Sequence, residues 1–178
     1  ERSGAPALSA LLIFSLLLTV YSAGCHPREE TRLPNHLYLR LNSNPTTLDP
    51  ALITDVQGGG IAAKLFNGLV RFDEDLTIVP DIARSWSLSE DQRTYTFRLR
   101  NTVRFSNGRT VNAEDFRYSF ERVLTPGTKA PLTWVLDKIE GAGDFISGKT
   151  GSVSGIRVVD DQTLVLRLEK PFGPFLSL

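Results

Sequence analysis

Residues 94–124 read TYTFRLRNTVRFSNGRTVNAEDFRYSFERVL, and they decide the fold class because a strand pattern, a turn and a helix pattern follow one another. Residues 94–100 alternate between apolar and polar side chains, which is typical of a strand with one buried face. The apolar side of this alternation consists of Tyr95, Phe97 and Leu99. Further on, Asn107-Gly108 predicts a tight β-turn, since both residues tolerate a positive φ.

The end of this stretch predicts a helix that starts after Asn112. An asparagine can cap the first turn, and Glu114 and Asp115 place negative charge near the positive end of the helix dipole. Apolar residues then recur at helical spacing on one face: Phe116, Phe120, Val123 and Leu124. Pro126 and Gly127 end the helix.

Strand patterns also occur outside this stretch. Alternating leucines predict a strand over residues 37–41, and two β-rich runs, 156–159 and 163–168, predict a hairpin around an Asp-Asp-Gln turn. The residues of the second run that we expect to face the core are Leu164, Leu166 and Leu168. Strands and helices follow one another without a regular βαβ order, so the sequence predicts a mixed α and β class.

Glycine and tryptophan positions give two further predictions. Residues 58–60 are all glycine, which favours a flexible entry to a helix that runs through Ile61, Leu65 and Phe66. Trp86 and Trp134 each lie among apolar neighbours, and we expect both to pack in the core.

The composition excludes several classes of function. Lys+Arg and Asp+Glu are both 20, so no excess of positive charge favours nucleic-acid binding. Both histidines and the single cysteine lie in the first 36 residues, which excludes Ser-His-Asp or Cys-His catalysis and imidazole or thiolate metal sites in the remainder. The acidic clusters at 73–75, 90–91 and 160–161 lie where turns are predicted. We therefore expect no catalytic residue, no metal and no cofactor.

The first 36 residues resemble a lipoprotein leader and a tether. Residues 5–24 carry no charge and end in small residues directly before Cys25, which predicts a signal peptide over 1–24 and lipidation of Cys25. A plain signal peptide or a transmembrane anchor remains the alternative. Residues 25–36 are polar and rich in proline, as expected of a tether. The absence of methionine and the apolar last residues suggest a piece of a longer protein.

A series of motifs in fixed order resembles one family. The motifs are LDP at 48–50, LFNGL at 65–69, VPDIARSW at 79–86, the strand at 94–100, VRFSNGRTV at 103–111, NAEDF at 112–116, IEGA at 139–142, the hairpin at 156–168 and PFGPFL at 171–176. Together they are similar to the peptide-type bacterial extracellular solute-binding proteins, and most similar to the oligopeptide-binding branch.

The resemblance implies a two-lobed clamp of the type II periplasmic-binding-protein kind, with an additional domain beside the first lobe. Residues 37–66 would begin ligand-binding lobe I, residues 67–178 would form the additional domain and the return toward lobe I, and the second lobe would lie outside this sequence. It also implies that Thr54, Asp55 and Val56 contact an extended peptide through β-augmentation. From the residues alone, Asp55 is equally well interpreted as a turn residue.

The implied function is that of a monomeric substrate-binding lipoprotein of an ABC importer, which captures short oligopeptides and delivers them to permease subunits in the membrane. It would be lipid-anchored in the periplasm or on the outer face of the cytoplasmic membrane of the bacterial cell envelope. Three alternatives remain open. The first is a receptor of the same fold for nickel, a sugar or another small solute. The second is a surface lipoprotein acting as an adhesin or chaperone, and the third is an enzyme whose catalytic residues lie outside this sequence.

Overall fold

The computed structural model describes residues 33–36, 38 and 40–177. The chain divides into two compact units, residues 1–40 and 41–178. In the first unit, the Leu33 N–H donates to the Tyr38 hydroxyl at 2.9 Å. The predicted signal peptide, Cys25 and the tether up to residue 32 lie outside the described residues, as do Leu37 and Leu39.

All helices and strands of the described residues lie in the second unit. They are α1 (Val56–Leu65), β1 (Val70–Phe72), β2 (Ile78–Pro80), β3 (Ala83–Leu88), β4 (Thr94–Leu99), α2 (Ala113–Leu124), α3 (Ala142–Ile146), β5 (Ile156–Asp160) and β6 (Thr163–Arg167). Short 3₁₀ turns occupy Pro126–Thr128, Thr133–Val135 and Gly173–Ser177. In the described part of the chain, no helix is both long and apolar enough to span a membrane.

The core is built on a four-stranded antiparallel sheet with strand order β3-β4-β6-β5, beside a separate β1-β2 hairpin. Phe97 of β4 lies opposite Trp86 of β3 and opposite Leu164 of β6. The predicted alternation in β4 is confirmed: Tyr95, Phe97 and Leu99 are buried, because they face the core while the threonines and arginines between them face outward. The predicted hairpin of β5 and β6 is confirmed as well.

Strand β6 is buried more completely than its alternation predicts. Its first four residues, 163–166, are all buried, so both faces of this central strand are covered. The polar member, Thr163, has both hydrogen-bonding roles filled: its hydroxyl donates to Asp160 Oδ2 at 2.9 Å and accepts from Arg98 at 2.7 Å. A buried hydroxyl with two partners avoids the penalty of an unpaired polar group.

The predicted helix and turn are also confirmed. Asn112 accepts from the Asp115 N–H at 3.2 Å, and the Asp115 carboxylate accepts from the Asn112 N–H at 2.9 Å, which completes a capping box. In the turn, Gly108 has a φ of 86° and its N–H bonds the Phe105 carbonyl at 2.9 Å, whereas Asn107 does not adopt a positive φ.

Three predictions are wrong. Tyr38, Arg40 and Leu41 belong to no strand, and none of them is part of a sheet formed by the described residues. Trp134 is 50% exposed in a 3₁₀ turn and is not part of the core. Trp86, by contrast, packs against the core as predicted. The glycines at 58–60 lie inside α1 and not before it, because Asp55 caps the helix and its first residue is Val56.

Candidate ligand-binding segment

The predicted site residue Asp55 is the N-cap of α1. Its backbone is extended (φ −104°, ψ 151°), and its Oδ1 accepts from the Gly58 N–H at 2.7 Å. This bond satisfies an amide that would otherwise lack a partner in the first helical turn, and it explains why the helix starts at Val56. The alternative interpretation of Asp55 as a residue that bonds nearby backbone agrees with this local structural role, although the residue caps a helix and does not form an isolated turn.

The second carboxylate oxygen of Asp55 is also occupied. The Thr46 hydroxyl donates to Asp55 Oδ2 at 2.7 Å. The Gly58 amide first, and then the Thr46 hydroxyl, hold the pKa of the Asp55 carboxyl below its usual value. Asp55 is thus a fixed anion whose oxygens organise the segment around it.

Gly58 makes this cap possible. A Cβ at this position would lie 3.1 Å from Asp55 Oδ2 and 3.1 Å from the Ile53 side chain, so any larger residue would push against the capping carboxylate. The other two glycines face open space. The Gly-Gly-Gly sequence therefore has one member with a packing role, and the other two leave the surface of α1 uncovered.

Thr54 and Val56 lie on either side of the cap and are open to solvent. Val56 is 88% exposed, an unusual position for a branched aliphatic side chain at the start of a helix. Within the described residues, no hydrogen bond engages the backbone N–H or C=O of Thr54. A free backbone amide beside an exposed apolar side chain can receive the backbone of an extended ligand.

The LDP motif at 48–50 forms a tight turn that precedes this segment. The Leu52 N–H bonds the Asp49 carbonyl at 2.9 Å, Asp49 Oδ1 accepts from the Ala51 N–H at 3.1 Å, and the Thr47 hydroxyl accepts from the Asp49 N–H at 3.1 Å. These bonds make the aspartate the organising residue of the motif.

Asp49 also forms a two-pronged ion pair with Arg122 of α2. Arg122 Nη1 donates to Asp49 Oδ1 at 2.9 Å, and Nη2 donates to Oδ2. The Arg122 hydrogen bonds are the main reason that the pKa of Asp49 lies below its usual value, and the pKa of Arg122 is raised in turn. Sequence reasoning missed this pair. The only available indications were the motif itself and a cation on the polar side of α2.

An apolar groove runs beside the same turn. It consists of two neighbouring cavities of about 410 and 560 Å³ that share their walls. The shared wall residues are Pro50, Phe66, Ser119, Phe120, Val135 and Leu136. With Phe66 51% and Tyr118 70% exposed at its rim, the groove can take apolar side chains. Across the described residues, no cluster of His, Cys, Asp and Glu is suited to a metal ion.

Comparison with known proteins identifies what this chain is similar to. Residues 77–178 match the family model described as bacterial extracellular solute-binding proteins, family 5 Middle. The chain is 35% identical to the periplasmic murein peptide-binding protein MppA of Escherichia coli over 95% of its own length and 32% of that protein. It is 31% identical to the oligopeptide-binding protein OppA of Bacillus subtilis, over 96% of this chain and 32% of the relative.

A third relative has a different ligand in its name. The chain is 32% identical to the probable deoxycholate-binding periplasmic protein YgiS of Escherichia coli, over 85% of this chain and 28% of that protein. The chain thus spans about a third of the length of the curated relatives that it matches.

Solved structures match the fold. The Escherichia coli murein tripeptide binding protein MppA superposes with a TM-score of 0.71 at 35% identity, covering 76% of this chain and 27% of that one. Haemophilus influenzae OppA in complex with RPPGFSPFR gives a TM-score of 0.71 at 34% identity, covering 75% and 26%. The prediction of a mixed α and β fold of the type II periplasmic-binding-protein kind is confirmed.

Proposed function

Because this chain belongs to family 5 of the bacterial extracellular solute-binding proteins, we propose that it is part of the peptide-capturing component of an ABC importer, which delivers oligopeptides to permease subunits in the membrane. The observation that carries the proposal is the similarity over nearly the whole chain to two proteins named for peptide binding. The match to a solved OppA in complex with a peptide supports it further. Family 5 comprises solute-binding proteins, and we propose no catalytic activity.

The segment 54–56 supplies the ligand contact in this proposal. The free backbone N–H and C=O of Thr54 can pair with the backbone of an extended peptide, and the Asp55 cap fixes their position. Recognition through the backbone tolerates many ligand side chains, because each residue of a peptide offers the same donor and acceptor. The exposed Val56 side chain adds an apolar contact beside this edge.

We also propose the arrangement of the remaining chain. Residues 37–66 begin ligand-binding lobe I, and residues 67–178 form the additional domain and the return toward lobe I. Residues 1–24 act as the signal peptide, and lipidated Cys25 with the tether 25–36 holds a monomeric protein on the outer face of the cytoplasmic membrane or in the periplasm. Globomycin sensitivity and [³H]palmitate labelling that is lost in Cys25→Ser would test the anchor.

Calorimetric titration tests the ligand class. The full-length gene product, purified without its signal segment, is titrated with mixed peptides of two to five residues, with Ni²⁺ and with deoxycholate. We expect dissociation constants in the micromolar range or tighter for peptides of varied sequence, and no heat from the other two ligands. Heat from Ni²⁺ or deoxycholate with none from any peptide would instead assign the protein to a small solute.

A further inference from the structure

Resting on the proposed peptide-binding function, we propose that Arg122 is a positioning residue for the ligand-binding segment. Through Asp49 it holds residues 46–58 in the one arrangement that presents Thr54 to an extended ligand. Arg122 lies on a helix far from this segment in sequence, 73 residues from Asp49, and need not touch the ligand itself.

Residues 46–58 form one hydrogen-bonded unit. At one end, Thr47 and Asp49 bond within the LDP turn, and at the other, Thr46 reaches forward to the Asp55 carboxylate, which caps α1. The bond from Thr46 to Asp55 closes the segment into a loop. A shift of the turn at Asp49 is therefore transmitted to Thr54 through a closed ring of bonds.

None of the residues 46–58 belongs to the main hydrophobic core, although Pro50 and Ala51 line the apolar groove. Ala51 is 9% exposed and is the buried hydrophobic residue of the LDP turn, whereas Leu48 is 50% and Leu52 is 36% exposed. A small buried side chain supplies far less hydrophobic stabilisation than a buried leucine. The unit thus depends on polar contacts with the rest of the fold.

The Asp49–Arg122 ion pair is the charged contact from this unit to α2. Its geometry is two-pronged, with each guanidinium nitrogen on its own carboxylate oxygen, and it fixes direction as well as distance. The Arg122 side chain is 37% exposed and the Asp49 side chain 29%, so water screens this ion pair less than it screens a fully solvated one.

Helix α2 is a rigid support for Arg122. Its first residue, Ala113, is fully buried and donates its N–H to the Asp161 carbonyl at 2.9 Å, and Leu124 at its other end is 1% exposed. Next to Arg122, the Glu121 carboxylate accepts from the Val153 N–H at 3.0 Å. A support fixed at both ends can set the position of a loop that has few apolar contacts of its own.

The test uses the full-length protein with five variants, of which R122K is described with the expected results. R122Q removes the charge and the paired donors, D49N keeps an oxygen for the Ala51 N–H but removes the carboxylate, and the third variant combines both changes. R117Q is the matched control, because Arg117 lies on the same helix and pairs within it, with Glu114 at 2.7 Å. Hydrogen exchange of residues 46–58 is measured without peptide, and affinity is measured by calorimetry.

We expect faster hydrogen exchange over residues 46–58 in R122Q. The dissociation constant for peptide should rise about fivefold, because a smaller fraction of the molecules holds this segment in the binding-competent arrangement. D49N should behave alike, the double variant should be no worse than either single change, and R117Q should match the unmodified protein. R122K, which keeps the charge but not the fork, should fall between R122Q and the unmodified protein, a partial rescue that a purely steric role would not give.

Each negative result would contradict a different part of the inference. Unchanged hydrogen exchange in R122Q would show that the Asp49–Arg122 ion pair does not hold residues 46–58. Unchanged affinity in R122Q despite faster exchange would overturn the positioning role. Additive losses in the double variant would show that the two residues act independently, which also overturns the inference. If the unmodified protein binds no peptide, the proposed function itself fails.

Discussion

Gly155 lies directly against the backbone of Glu140. Its N–H donates to the Glu140 carbonyl at 2.8 Å, and a Cβ placed on Gly155 would lie 2.8 Å from both the nitrogen and the oxygen of Glu140. The Gly155 carbonyl meanwhile accepts from the Arg167 N–H at 2.8 Å. The IEGA segment is thus joined to the sheet at a point where no side chain fits.

We therefore expect Gly155→Ala to lower the free energy of unfolding by about 2 kcal/mol, because the methyl group must displace backbone atoms that cannot rotate away. Urea unfolding monitored by tryptophan fluorescence provides the measurement. Gly151→Ala is the control, since a Cβ there meets open space. Equal stability of the two variants would contradict this close approach.

Asn112→Ala should lower the free energy of unfolding by about 1 kcal/mol, because it removes the side-chain half of the capping box at the start of α2. Thermal unfolding followed by circular dichroism at 222 nm measures the change. Asn101→Ala serves as the control, since the Asn101 side chain is exposed and makes no hydrogen bond within the described residues. If both variants lost a similar amount of unfolding free energy, the loss in Asn112→Ala could not be attributed to the helix cap.

Leu164→Ala should lower the free energy of unfolding by about 3 kcal/mol, because this side chain is fully buried opposite Phe97 and its loss leaves a cavity. Val159→Ala, at a position 55% exposed on the neighbouring strand, should change it by less than about 0.5 kcal/mol. Guanidinium unfolding of the two variants at one pH compares them. A small loss of unfolding free energy in Leu164→Ala would contradict the burial of this side chain in the core of the sheet.

Acid should destabilise the protein through its bonded aspartates. Arg122 lowers the pKa of Asp49, the Gly58 amide lowers that of Asp55, and the Gln162 amide lowers that of Asp160. The unfolded chain, with aspartate pKa values of about 3.9, then binds more protons than the native chain. The stability from these carboxylates is present above that value and is lost as the pH falls through the lower native values.

Urea unfolding between pH 2 and 7 measures this dependence. Arg122→Gln should reduce the acid-dependent part of the free energy of unfolding, because Asp49 loses the main cause of its lowered pKa. Arg84→Gln is the control, as Arg84 is exposed and forms no ion pair within the described residues. An identical pH dependence in the Arg122 variant and the unmodified protein would contradict the role of this pair.

Local rules predicted the elements whose causes are local. The alternation in β4, the cap at Asn112 and the turn at Gly108 each depend on residues within a few positions of one another, and all three are confirmed. The strand predicted over residues 37–41 is absent at its described residues, 38, 40 and 41, for the opposite reason. An alternating pattern forms a strand only beside another strand, and sequence spacing cannot supply that neighbour.

The candidate segment also separates local from long-range causes. The family resemblance predicts Thr54, Asp55 and Val56 as ligand contacts, and this stays a prediction. The capping role of Asp55 was missed because the run of glycines suggested a later helix start. The contact from Asp49 to Arg122 spans 73 residues and depends on how α2 packs on the sheet. No motif spacing encodes a contact of that kind.

The position of β6 in the middle of the sheet also sets an order of events in time. Arg98 of β4 meets Thr163 of β6 across 65 residues of chain, so a growing polypeptide carries β4 long before its partner exists. During that interval the free edge of β4, with its aromatic residues, can pair with any other chain it encounters. Closing so long a loop is slow, so the hazard of misassembly during synthesis is concentrated in the period before residue 167 emerges.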